Sequence, residues 1–93
     1  MKTFKDLEFK PHPKHAGGKQ SIMTFDNEYG VSVVQTPYSY GGDMGLYELA
    51  ILDSMGYITY QTPITNDVLG YLTEDDVTKY MIEVQKLKTY KLF

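Results

Sequence analysis

His12 and His15 stand in the segment Pro11-His12-Pro13-Lys14-His15, an H-x-x-H spacing that offers two imidazoles to a metal ion or one to general-base work. Zinc asks for three or four ligands in tetrahedral array, and the only carboxylates within ten residues are Asp6 and Glu8. The pair therefore reads as part of a solvated loop, and no metal ligands are assigned. Glu74, Asp75 and Asp76 resemble an acid pair or a magnesium site, but they open a helical pattern, where negative charge complements the helix dipole. Asp26, Asp43, Asp53 and Asp67 neighbour glycine or other turn residues, the ordinary place for aspartate. The 93 residues include no cysteine, which removes thiolate nucleophiles, disulfides and Cys-ligated metals. With no nucleophile–base pair, cofactor motif or metal spacing, the expectation is a protein that is not an enzyme and carries no cofactor.

The most distinctive stretch is TPYSYGGDMGLY at 36–47. It lacks the G-K-[ST] ending of a P-loop, and its glycines precede a strand instead of a helix, unlike a dinucleotide fingerprint. One reading is a turn between two hairpins, its glycines supplying positive φ and its tyrosines half-buried at the sheet edge. The other is a recognition loop formed by Tyr38, Tyr40, Gly41, Gly42, Asp43 and Tyr47. Tyrosine gives large, stiff, amphipathic contact area and is enriched at interface hot spots. Nine tyrosines serve this chain, more than one domain buries without wetting some hydroxyls.

Charge is unevenly spread. Residues 1–20 hold five lysines against Asp6 and Glu8, a balance of +3. Residues 21–76 hold nine acids and no base, and residues 77–93 return to +3 with four lysines against Glu83. Arginine is absent, and with it the planar fork for guanine edges and bidentate phosphate contacts. Nucleic acid is therefore not expected as a direct partner. No apolar run approaches the roughly 20 residues of a membrane span, and MKTFKDLEFK has charges where a signal peptide is apolar. The expected setting is the cytoplasm.

These residues must be held by something, and the chain predicts a single α+β domain over 1–93. Residues 1–18 form a first strand or extended arm, followed by the Pro/Gly loop PHPKHAGG. Residues 19–62 form two β-hairpins. The first pairs SIMTFD (21–26) with VSVVQT (31–36) across NEYG. The second pairs LYELAILD (46–53) with YITYQT (57–62) across Ser54-Met55-Gly56. Both faces of 46–53 are apolar, Tyr47, Leu49 and Ile51 on one and Leu46, Ala50 and Leu52 on the other, which predicts a strand covered on both sides. One helical turn is expected over Asn66–Gly70. A C-terminal helix follows from 74 to about 88, with Thr73 as N-cap and Val77, Tyr80, Met81, Val84 and Leu87 as its apolar stripe. The whole is an antiparallel meander of four to five strands with one helix packed across it. The tail TYKLF at 89–93 either adds contacts or frays, and an edge strand of the first hairpin is placed to pair across a two-fold axis as a homodimer.

The runs Tyr29-Gly30-Val31-Ser32-Val33-Val34, Pro37-Tyr38-Ser39-Tyr40-Gly41-Gly42, Thr62-Pro63-Ile64-Thr65 and Leu72-Thr73-Glu74-Asp75-Asp76-Val77 resemble a group of small uncharacterised proteins of tailed bacteriophages. The likeness spans about residues 19–88 and brings no activity, only a context. It implies a small accessory protein in the host cytoplasm, of the kind that modulates host machinery or inhibits a defence system. The expected function is then binding of a host or phage protein by steric occlusion. The alternative is a sponge for a nucleotide signal, with tyrosines stacked on a base, Gly41 and Gly42 amides facing phosphate, and Lys19 or Lys79 supplying positive charge.

Overall fold

In the computed structural model, which describes residues 1–88, the helix forms where its period predicts. Helix α1 runs Glu74–Gln85. Thr73 caps it reciprocally: its hydroxyl accepts from the Asp76 amide at 3.1 Å, and the Asp76 carboxylate accepts from the Thr73 amide at 3.0 Å. Val77, Met81 and Val84 are fully buried, with Tyr80 and Leu87 packed at the margin. The helix stops three residues short of the expected end near 88, so Lys86 and Lys88 follow it instead of filling its last turn. The group that satisfies its end comes from elsewhere in the chain. The Asn27 side-chain amide donates to the carbonyls of Val84 and Leu87, at 2.8 and 3.0 Å, and closes the end.

The strands are β1 (Lys10–Pro11), β2 (Lys19–Thr24), β3 (Gly30–Gln35), β4 (Tyr47–Leu52) and β5 (Leu69–Leu72). They lie in chain order as one five-stranded antiparallel sheet. Ser21, Val33 and Leu49 align across three strands, as do Met23, Val31 and Ile51. Tyr47, Leu49 and Ile51 join Val31, Val33, Leu72 and the helix stripe in the core. Ala50 and Leu52, on the opposite face, are also buried, so β4 is covered on both sides as its sequence requires. Residues 1–9 form an arm with one 3₁₀ turn (Phe4–Asp6), tied to α1 where the Phe4 amide meets Thr78 Oγ1 and the Lys2 amide meets Gln85 Oε1. The tail expectation for 89–93 lies outside the described residues.

Two expectations are corrected. The segment 57–62 does not continue as a strand. It turns back on β4 through Asp53 N–H to the Tyr57 carbonyl and Thr59 N–H to the Ile51 carbonyl, forms one bridge between Leu52 and Ile58, and then leaves. Thr59, Thr62 and Thr65 each accept a backbone amide two residues on, local bonds that compete with a ladder, and Pro63 cannot extend one. The expected helical turn at 66–70 is instead the approach to β5, which takes the vacated slot beside Tyr47 and Leu49. Gly70 sits there because a Cβ at that position would lie 2.5 Å from Tyr40 Cβ.

Asn27→Ala leaves two helix-end carbonyls without this donor and should lower stability in urea by about 1–3 kcal/mol. Asn27→Asp should cost more, since its carboxylate faces the same carbonyls at the negative helix end. The pH dependence is also set by capping. The Thr3 amide on Asp6, and the Thr73 amide then hydroxyl on Asp76, hold both carboxyls below the ordinary value of 3.8, with nearby lysines adding a smaller pull. A carboxyl lowered in the folded state stabilises fully above its unfolded value and loses that contribution as pH falls through its lowered folded-state value. Urea stability should therefore decline as pH falls below about 5 and go on declining below the ordinary carboxyl value, and less steeply in the Asp6→Asn/Asp76→Asn double variant.

Candidate functional site

The loop between β3 and β4 is built around Thr36, which is buried. Its hydroxyl accepts the amides of Tyr38 (3.1 Å) and Ser39 (2.9 Å). Ser39 Oγ accepts the Thr36 amide at 2.9 Å and donates to the Thr36 carbonyl at 3.2 Å. The Gly42 amide then donates to the Ser39 carbonyl at 3.0 Å. Gly42 lies so close to this knot that a Cβ would stand 1.9 Å from the Thr36 carbonyl oxygen. Gly41 (φ +87) and Gly45 (φ +75) bracket a 3₁₀ turn over Gly42–Met44 in the left-handed region that glycine tolerates.

This frame turns two of the expected residues outward. Tyr38 is 79% exposed and Tyr40 59%. Asp43 is exposed on the 3₁₀ turn, and Gly41 and Gly42 serve as its backbone. Tyr47 is separated from them. It is 6% exposed and packs edge-on to Phe4 at 5.0 Å and against Phe9 at 5.6 Å, in the core beneath the sheet. Its alternation with Leu49 and Ile51 decides this, and the recognition loop loses it as a surface residue.

The fold also brings in side chains that the loop reading left out. Tyr71 stacks on Tyr40, rings 6.4 Å apart and 29° between planes, and its amide donates to the Tyr40 carbonyl at 3.1 Å. Tyr71 has φ +57, an unusual conformation for an aromatic residue. It falls in the register shift between Tyr47↔Leu72 and Leu49↔Leu69, where one extra residue of β5 is turned outward. On the other flank, His15 lies 5.3 Å from the Tyr38 ring and 4.8 Å from His12. Together with Val34, Thr36, Ser39 and Glu48 they line a cleft of about 210 Å³. The signal for this neighbourhood was present in the chain: a hairpin pairing Lys19 with Gln35 sends residues before 19 and after 35 out at the same end. No comparable local signal marks Tyr71.

Chemically the cleft joins two imidazoles, a carboxylate and a serine without linking them. The Ser39 proton is directed at the Thr36 carbonyl, Glu48 Oε2 takes the Tyr40 amide at 3.4 Å, and His12 Nδ1 accepts the Lys14 amide at 3.1 Å. Among the described residues no group of three or more His, Cys, Asp or Glu is placed to hold a metal ion. What the site offers is shape and aromatic area: Tyr38 on one flank, and the Tyr40–Tyr71 stack on the other.

Fold and site thus define a small α+β meander that displays tyrosines from a braced loop. No family model matches the chain, and neither curated proteins nor solved structures match it.

Gly42→Ala should cost more than about 2 kcal/mol in thermal or urea unfolding, because the added methyl collides with backbone. Gly17→Ala, at φ +81 but with open space around it, should cost about 1 kcal/mol.

Proposed function

We propose that this chain is a phage-encoded accessory protein that binds a host protein in the host cytoplasm and modulates or inhibits it by steric occlusion, as host-takeover and anti-defence proteins do. The phage context rests on the resemblance of the 29–34, 37–42, 62–65 and 72–77 runs. The binding role rests on one observation above the others: a loop fastened at Thr36, Ser39 and Gly42 exposes Tyr38 and Tyr40 instead of burying them. A braced aromatic loop loses little conformational entropy on docking, which favours affinity. Tyr71 belongs to the same surface through its stack on Tyr40.

The nucleotide-signal alternative finds less support. The Gly42 amide already donates to the Ser39 carbonyl. Lys19 Nζ lies over Phe9 and Tyr47 at 4.9 and 5.4 Å, and Lys79 Nζ over Tyr80 at 5.3 Å. The cations that reading needs are engaged elsewhere.

Tagged protein passed through host lysate at moderate salt should retain one stoichiometric protein. Tyr38→Ala/Tyr40→Ala should release it while leaving the melting temperature within a few degrees, since both side chains are exposed. Retention unaffected by the double variant would remove the loop from the proposal. A nucleotide panel that raised the melting temperature by several degrees would replace it with the alternative.

A further inference from the structure

We propose that Glu48 anchors an arginine side chain of the protein partner, which enters the cleft beside Tyr38; this rests on the protein-binding reading above and names the chemistry it requires. Glu48 follows Tyr47 on β4, so strand parity turns it to the sheet face opposite the helix. It is half-buried and stands in the wall of two clefts of about 210 Å³ each. One holds Tyr38, His12 and His15, the other Ala50, Ile58 and Val68. The one hydrogen bond of its side chain among the described residues is a long one, from the Tyr40 amide to Oε2 at 3.4 Å. A carboxylate offers about four acceptor positions, so most of them stay open. Among the described residues no lysine forms an ion pair with it.

The chain's own cations are remote or committed. Lys10 shares a cross-strand row with Glu48 through Gln20 and Val34, but three strand spacings separate them, about 14 Å. Lys19 lies over Phe9 and Tyr47, and Lys79 over Tyr80. Lys14, in the histidine loop, is exposed, and its amide meets His12 Nδ1. Residues 21–76, which supply β3, β4, β5 and the whole tyrosine loop, contain no base at all. The surface thus holds a half-buried carboxylate without a counter-ion, which an incoming cation satisfies. Arginine is the cation that fits. Its planar guanidinium stacks on an aromatic face while its fork meets a carboxylate. Tyr38, backed by the His15 ring at 5.3 Å, is 79% exposed in the same cleft as that carboxylate. Lysine, a compact and strongly hydrated point charge, gains less from the ring. Because the chain has no arginine, neither its own loops nor a second copy can fill the cleft in this way. The occupant is foreign.

The test titrates the intact protein with an end-blocked Gly-Arg-Gly peptide and follows backbone amide shifts by NMR, with lysine and citrulline peptides of the same length beside it. The expected result is a saturable shift centred on the amides of Tyr38, Tyr40 and Glu48. It should be at least about fivefold weaker for lysine and absent for citrulline, which keeps the shape of arginine and lacks its charge. Glu48→Gln retains an oxygen for the Tyr40 amide and removes only the charge. It should therefore keep the wild-type melting temperature and weaken the arginine peptide at least about tenfold. Shifts that do not saturate by about 10 mM, that persist unchanged in Glu48→Gln, or that citrulline reproduces would overturn the arginine site. The lysate capture separates this from the broader reading. A retained protein that leaves with Tyr38→Ala/Tyr40→Ala but stays on Glu48→Gln removes the arginine anchor and keeps the binding role. Arginine-peptide binding with no lysate protein retained keeps the site and removes the host partner instead.

Discussion

The fold depends on one seam. Val77, Met81 and Val84 of the helix meet Val31, Val33, Leu49 and Ile51 of the two central strands, and all seven are essentially withdrawn from water. A chain this short has one helix to give, so it closes one face of the sheet and leaves the other to whatever loop passes over it. That allocation decides the remaining architecture. The arm at 1–9 packs Phe4, Leu7 and Phe9 against the same core. The hairpin turn after β2 reaches across to close the helix through Asn27. The far face gets only the long excursion of 53–68, whose Ile58 and Val68 border Ala50 and Val34.

Legibility in the chain followed the range of the interaction. The helix was readable because its stripe, its N-cap and its acidic first turn are all local, within the span they describe. β4 was readable because both of its faces carry apolar residues, with Glu48 the one exception. The exchange of roles between 57–62 and 69–72 was not. YITYQT alternates like a strand, yet its threonine hydroxyls satisfy backbone amides locally. LGYL is too short and too glycine-marked to announce itself, because Gly70 answers to Tyr40, thirty residues away. A contact of that kind leaves no periodicity to detect. The helix end is a similar case, since the group that closes it lies nearly sixty residues upstream.

The candidate site divides along the same line. Tyr38, Tyr40, Gly41, Gly42 and Asp43 cluster in sequence and remain together in space, so composition found them. Tyr47 adjoins them in sequence but obeys the parity of β4, which carries it through the sheet to Phe4 and Phe9. Tyr71 replaces it, delivered by the extra residue in β5 and a left-handed backbone that faces its ring toward Tyr40. A backbone held against its preference persists only where its surroundings over-determine it. Here Gly41 packs against Tyr71 Cα, and Gly70 against Tyr40. The glycines do more than permit a turn: they let the 36–46 loop and β5 close on each other and brace the tyrosines.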